Sequence, residues 1–160
     1  MSFDLVAKRV CTWNKKASVR DLEPDTLEWW RSINLQAKLL VEEATEALEA
    51  SELNDPVELL DGVLDSIIIL TKFVDMLEKA GYRVFDAAEA IMQNNDLKIY
   101  SSMTRALEVK EELEEANRQG YYIDDTEVDG KIYFVVKRND GKIAKAVDFP
   151  RVQLEEFLPR

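Results

Sequence analysis

Two stretches decide how this chain folds: LLVEEATE at residues 39–46 and ELLDGVLDSIIIL at residues 58–70. Each carries carboxylates at helical spacing among side chains apolar enough to require burial. Between them, NDP at 54–56 supplies Asp55 as a helix cap and Pro56 at the first helical position, with Glu58 at the reciprocal place of a capping box. Two long helices joined by a tight turn follow. Upstream, EPDTLEWW at 23–30 offers Asp25 as cap and Glu28 as its box partner, so the first long helix is expected over about residues 26–51. The second is expected to reach residue 80, where Gly81 stops it. Shorter helices are predicted over about 84–93 and 103–118.

Past Gly120 the hydrophobic period changes. YYIDDTEVDGKIYFVVKRNDGKIAKAV at 121–147 sets two Asp-Gly turn signals between β-rich runs, which predicts a three-stranded antiparallel meander. The closing FPRVQLEEFLPR reads as a docked tail or a short helix. The expected architecture is mainly α: a helical domain at 1–119 with a β-meander extension at 120–160.

Composition narrows the chemistry. An apolar content of 46% excludes general disorder, and 33% charged residues require a well-solvated surface. No apolar run approaches the roughly 20 residues that span a bilayer, and MSFDLVAKRV lacks the basic-then-apolar order of a signal peptide, so a cytoplasmic, membrane-free protein is expected. The single Cys11 cannot build a disulfide or a thiolate zinc site. The absence of histidine removes the usual general base, the His-assisted nucleophiles and imidazole metal sites. A net charge of −11 argues against a basic face for DNA or RNA. Chemistry must rest on carboxylates, lysines or hydroxyls.

At about 100° per residue, the first helix has an apolar stripe of Ile33, Ala37, Leu40, Ala44 and Leu48, with Glu42 opposite it as a solvated charge. Glu43 and Glu46 flank Leu39 on a second, narrower seam. The second helix has its stripe at Leu59, Val63, Ile67, Leu70, Val74 and Leu77, with Asp61 and Asp65 on the far side. Ile68, Ile69 and Met76 share that far side, so the helix is expected to be covered on both sides and its aspartates to face protein. Carboxylates gathered without a counter-charge repel, and a hard divalent cation such as Mg²⁺ or Mn²⁺ resolves the repulsion while leaving coordination positions for phosphate. A di-iron site needs histidines, and no EF-hand, P-loop or dinucleotide fingerprint occurs.

The runs LQAKLLVEEATEAL, VELLDGVLDSIIIL and GYRVFDAAEAIMQNNDLK, in that order, resemble the all-α nucleoside triphosphate pyrophosphatases, the MazG-like superfamily. The branch similar to phosphoribosyl-ATP pyrophosphohydrolase, common in phages, is the nearest likeness, over roughly residues 24–100. The resemblance implies a Mg²⁺-dependent enzyme that splits a nucleotide between its α- and β-phosphates, active in a bacterial or phage-infected cytoplasm as a homodimer or homotetramer. It implies Glu43 and Glu46 as one ligand pair and Asp65 in the second. The usual glutamate before Asp65 is here Gly62, so either Asp61 replaces it or Glu58 and Asp61 form the pair, and Asp61 with Asp65 is preferred. Asn95 and Lys98 match the family's substrate-binding Asn and Lys, with Asp96-Leu97 between them in place of Met-Ser. The alternative function is a catalytically silent acidic interaction module of the same fold.

Overall fold

The computed structural model describes residues 3–17, 21–117 and 119–159. Among these the protein is mainly helical, with α1 (Phe3–Lys16), α2 (Leu27–Leu53), α3 (Pro56–Lys79), α4 (Val84–Asp96) and α5 (Met103–Asn117). A three-stranded antiparallel sheet holds β1 (Ile99–Tyr100), β2 (Tyr121–Val128) and β3 (Lys131–Arg138) in the order β1-β3-β2. No helix among the described residues is long and apolar enough to cross a membrane. The expected outer limits of the helical body near Arg20 and Arg118 lie outside the described residues. Compactness divides the chain into Met1–Val84 with Phe157–Arg160, and Phe85–Glu156. The division falls near residue 84, and the change of period at 120 lies within the second unit.

In the first unit, α2 begins one residue later than its acidic signature implies. Thr26, not Asp25, is the cap, its Oγ1 accepting from the Trp29 N–H at 3.2 Å. Asp25 adopts a left-handed φ of 62° and accepts from the Trp30 indole N–H at 2.8 Å. The helix ends at Asn54, left-handed at φ 56°. Asp55 then caps α3 by accepting from the N–H groups of Val57 and Glu58, with Pro56 at the first position as expected. The expected capping box does not close, because the Asp55 N–H donates to the Ala50 carbonyl at 2.9 Å. Glu58 therefore has no capping task.

This two-residue connection folds α3 back along α2. At the far end Ser32 meets Met76, with Oγ 3.9 Å from Sδ. At the near end Gly62 is buried against α2, where a Cβ would lie 3.0 Å from the Ala47 amide nitrogen and 3.1 Å from the Glu43 carbonyl oxygen. The contact follows the sidedness expected from the apolar stripes only in part: Ile33, Ala37 and Leu40 of α2 and Ile67, Val74 and Leu77 of α3 are half-buried. The seam of α3 toward α2 runs through Gly62, Asp65, Ile69 and Met76, whereas Val63 and Leu70 of the expected stripe are 41% and 46% exposed. On α2, Ala47 and Ala50 turn inward while Ala44 and Leu48 are exposed. Periodicity located an apolar stripe on each helix but not the neighbour that covers it.

α1 was not expected, and it lies against α3. In the second unit α5 covers the sheet, burying Ala106, Val109 and Leu113 against Tyr121, Val136 and Ala144. Asp129 and Gly130 supply the two left-handed residues of the β2–β3 hairpin, at φ 52° and 74°, as the Asp-Gly signal implies. The third strand of the expected meander is replaced. β1 pairs with Phe134 and Val135 along the free edge of β3, so the chain after the second Asp-Gly turn makes only a bridge between Ile143 and Lys137.

Because Gly62 meets backbone atoms of α2, Gly62→Ala is expected to destabilise by about 1–3 kcal/mol through overpacking, although Ala gains roughly 1 kcal/mol over Gly in an open helix. Thermal denaturation checks the sign: a lower melting temperature supports the close approach, and a higher one contradicts it.

Candidate metal centre

The contact at Gly62 decides where the acids lie. Glu43 sits on the packing seam of α2, half-buried, its carbonyl next to Gly62. On α3 at about 100° per residue, Asp65 lies roughly 60° and Asp61 roughly 100° around the axis from Gly62. Asp65 is half-buried, whereas Glu46 and Asp61 are exposed, so the expectation that both aspartates face protein holds only for Asp65. Glu42 is exposed, as expected.

Electrostatics ties the two helices together at this point. Glu43 is pushed above the usual carboxylate range, first by loss of hydration and then by the charges of Glu46, Asp65, Glu42 and Asp61. Charges on α3 thus act on a carboxyl of α2. Glu58, although on the same side of α3, is not among the charges that act most on Glu43. None of Glu43, Glu46, Asp61 and Asp65 has an ion-pair partner among the described residues. At the opposite end of the hairpin the charges are paired, where Lys79 bonds Asp21 at 2.6 Å and Asp75 at 3.1 Å, and the buried Lys72 lies 3.8 Å from Asp75. That pairing lowers Asp21 and raises Lys79. A cavity of about 320 Å³ there is lined by Trp29, Lys72 and Lys79.

Among the described residues no three acidic side chains converge closely enough to hold a metal ion as they stand. Uncompensated carboxylates lower their energy by pointing apart. The donor set itself, four unpaired carboxylates reached from two adjoining helices, is the oxygen-only chemistry that hard divalent cations take.

Asn95 and Lys98 belong to the other compact unit. The Lys98 ammonium donates to the Asn95 side-chain oxygen and lies 5.6 Å from the centre of the Phe149 ring. Asn95 is within α4, which runs on to Asp96, past the expected end at residue 93. Gly62, which the resemblance sets where the family has a glutamate, is here a packing contact. A lone glycine inside a long helix signals close backbone approach, and that signal was present in the sequence. No protein-family model, curated protein or solved structure matches the chain significantly.

The raised Glu43 fixes a sign for stability. Its carboxyl binds a proton more readily folded than unfolded, so ionised Glu43 destabilises the metal-free fold at neutral pH. Stability associated with this group is therefore gained as pH falls through its raised folded value. Glu43→Gln should raise the melting temperature at neutral pH without metal, with the gain shrinking in acid where Glu43 is itself protonated. Thermal scans of both proteins across pH check this, and an equal gain at every pH would contradict it.

Proposed function

We propose that the α2–α3 hairpin holds Mg²⁺ or Mn²⁺ through Glu43, Glu46, Asp61 and Asp65, and that the protein is a metal-dependent nucleotide pyrophosphohydrolase. The single observation that carries this reading is the placing of unpaired carboxylates of both helices about the Gly62 contact, with Glu43 raised by loss of hydration and then by charges from both helices. When bound, the metal supplies charge neutralisation at phosphoryl oxygens and lowers the pKa of a coordinated water. The chain must accept that water's proton on a carboxylate, since it has no histidine. Attack between the α- and β-phosphates releases a nucleoside monophosphate and pyrophosphate, which serves nucleotide-pool control or sanitation. Asn95 and Lys98, which the resemblance implies for substrate, offer an amide and an ammonium within the other compact unit. The resemblance to the MazG-like pyrophosphatases supports the same assignment.

The separation of the acids favours a second reading, a silent acidic interaction module. Pyrophosphate release from deoxynucleoside and nucleoside triphosphates, with and without Mg²⁺, separates the two. Activity dependent on Mg²⁺ and lost in Glu43→Gln and Asp65→Asn supports the enzyme. Glu42→Gln should be nearly silent. Loss in Asp61→Asn with retention in Glu58→Gln supports the ligand register, and the reverse would assign Glu58 in place of Asp61. No release from any substrate would leave the interaction module.

We further propose that the protein is a homodimer or homotetramer. The outward stripe of α3 leaves Leu59, Val63 and Leu70 exposed at 36%, 41% and 46%. A contiguous face of this kind marks an interface. Light scattering should give a mass of at least two chains, reduced to one by Val63→Lys with Leu70→Lys. A monomer at micromolar concentration would contradict the assembly.

A further inference from the structure

α1 carries Val6, Val10 and Trp13 on one stripe, and that stripe faces α3. Val10 is buried, yet Trp13 is 63% exposed. The indole borders an open cavity of about 680 Å³ whose far wall includes Ile68 of α3. Lys8, Arg9 and Lys16 complete the rim, and none of the described residues that line it is a carboxylate. Such a wall is unusual in a chain of net charge −11. On α3, Ile68 lies about 4.5 Å along the axis beyond Asp65 and within roughly 60° of both Asp61 and Asp65 around it. The cavity therefore opens on the side of α3 that carries the carboxylates, and both belong to one compact unit.

We infer that this cavity seats the nucleotide, with its base stacked on Trp13 and its phosphate charge among Lys8, Arg9 and Lys16. The inference rests on the nucleotide-hydrolase reading and adds the substrate-binding wall that the carboxylates alone do not provide. The volume lies within the range of small-molecule sites, about 300–1,000 Å³. A wholly apolar occupant would leave three cations unanswered at the rim. A nucleotide joins an aromatic face to several negative charges, which is the chemistry the wall presents. The aliphatic stems of the three cations extend the apolar floor while their heads meet phosphate.

The test uses calorimetric titration with α,β-methylene analogues of the deoxynucleoside triphosphates in Mg²⁺, together with steady-state pyrophosphate release. Trp13→Ala should weaken analogue binding and raise KM about tenfold, the scale of a lost stacking partner, with kcat little changed. The triple variant Lys8→Gln, Arg9→Gln, Lys16→Gln should also bind more weakly, and its affinity should depend less on salt. Trp13, Lys8, Arg9 and Lys16 are all exposed, so both variants should fold, and circular dichroism checks this. Unchanged affinity and KM in both variants, with wild-type turnover present, overturns the cavity assignment while the hydrolase reading stands. Analogue binding that needs Trp13, without turnover in any substrate, upholds the cavity and overturns the hydrolase. Failure of the wild type to bind any analogue overturns the inference, and a fall in oligomeric mass in Trp13→Ala would then assign the cavity to a second copy of the chain.

Discussion

The structure depends on one contact, the backbone of α2 lying against Gly62 of α3 with no side chain between them. A glycine in a helix interior costs roughly 1 kcal/mol in conformational entropy, and here the cost is offset by an approach that any Cβ would hinder. The contact sets which sides of the two helices meet. It turns Glu43, Ala47 and Ala50 of α2 inward and leaves Val63 and Leu70 of the apolar stripe of α3 outward. It also makes the carboxyl groups of one helix neighbours of those of the other.

The hairpin that results is electrically uneven. At one end Lys79, Asp21, Lys72 and Asp75 satisfy one another, and partly exposed pairs of this kind contribute up to about 1 kcal/mol each. At the turn end the acids have no such answer, and Glu43 is held above its ordinary range. Stability and charge are thus separated along a single pair of helices. Such a division is common where a site requires strain that the rest of the fold must support.

The legible parts of the fold were those set by local chemistry. Asp55 and Pro56 start α3 whatever surrounds them, and Asp129-Gly130 turns its hairpin because both residues accept left-handed backbone. The parts set by distant neighbours were not legible. The apolar stripe of α3 says that something covers it, and only the Gly62 contact says that α2 leaves Val63 and Leu70 outside. Likewise the edge of β3 is taken by Ile99 and Tyr100, far upstream, and nothing in the residues after the second Asp-Gly turn announces that their place is occupied. In α1 the short apolar stripe is masked by Lys8, Arg9, Lys15 and Lys16, so neither the helix nor its cavity stands out from spacing. Spacing pointed to the acids but not to their burial: Asp61 is exposed although it shares a helix side with Asp65.

The tight reversal at Asn54 and Asp55 has a kinetic side. All four carboxylates fall within residues 43–65, on two helices that neighbour each other in the chain, so bringing them together closes only a short loop. Short loops close at low entropic cost, and contacts of low sequence separation form early. The sheet of the second unit must instead wait for Ile99 and Tyr100 to find β3 across the whole of α5 and β2. Repulsion among the acids therefore acts on the chain from the first moments of its collapse, and a divalent cation that screens it would speed hairpin formation as well as stabilise the finished fold.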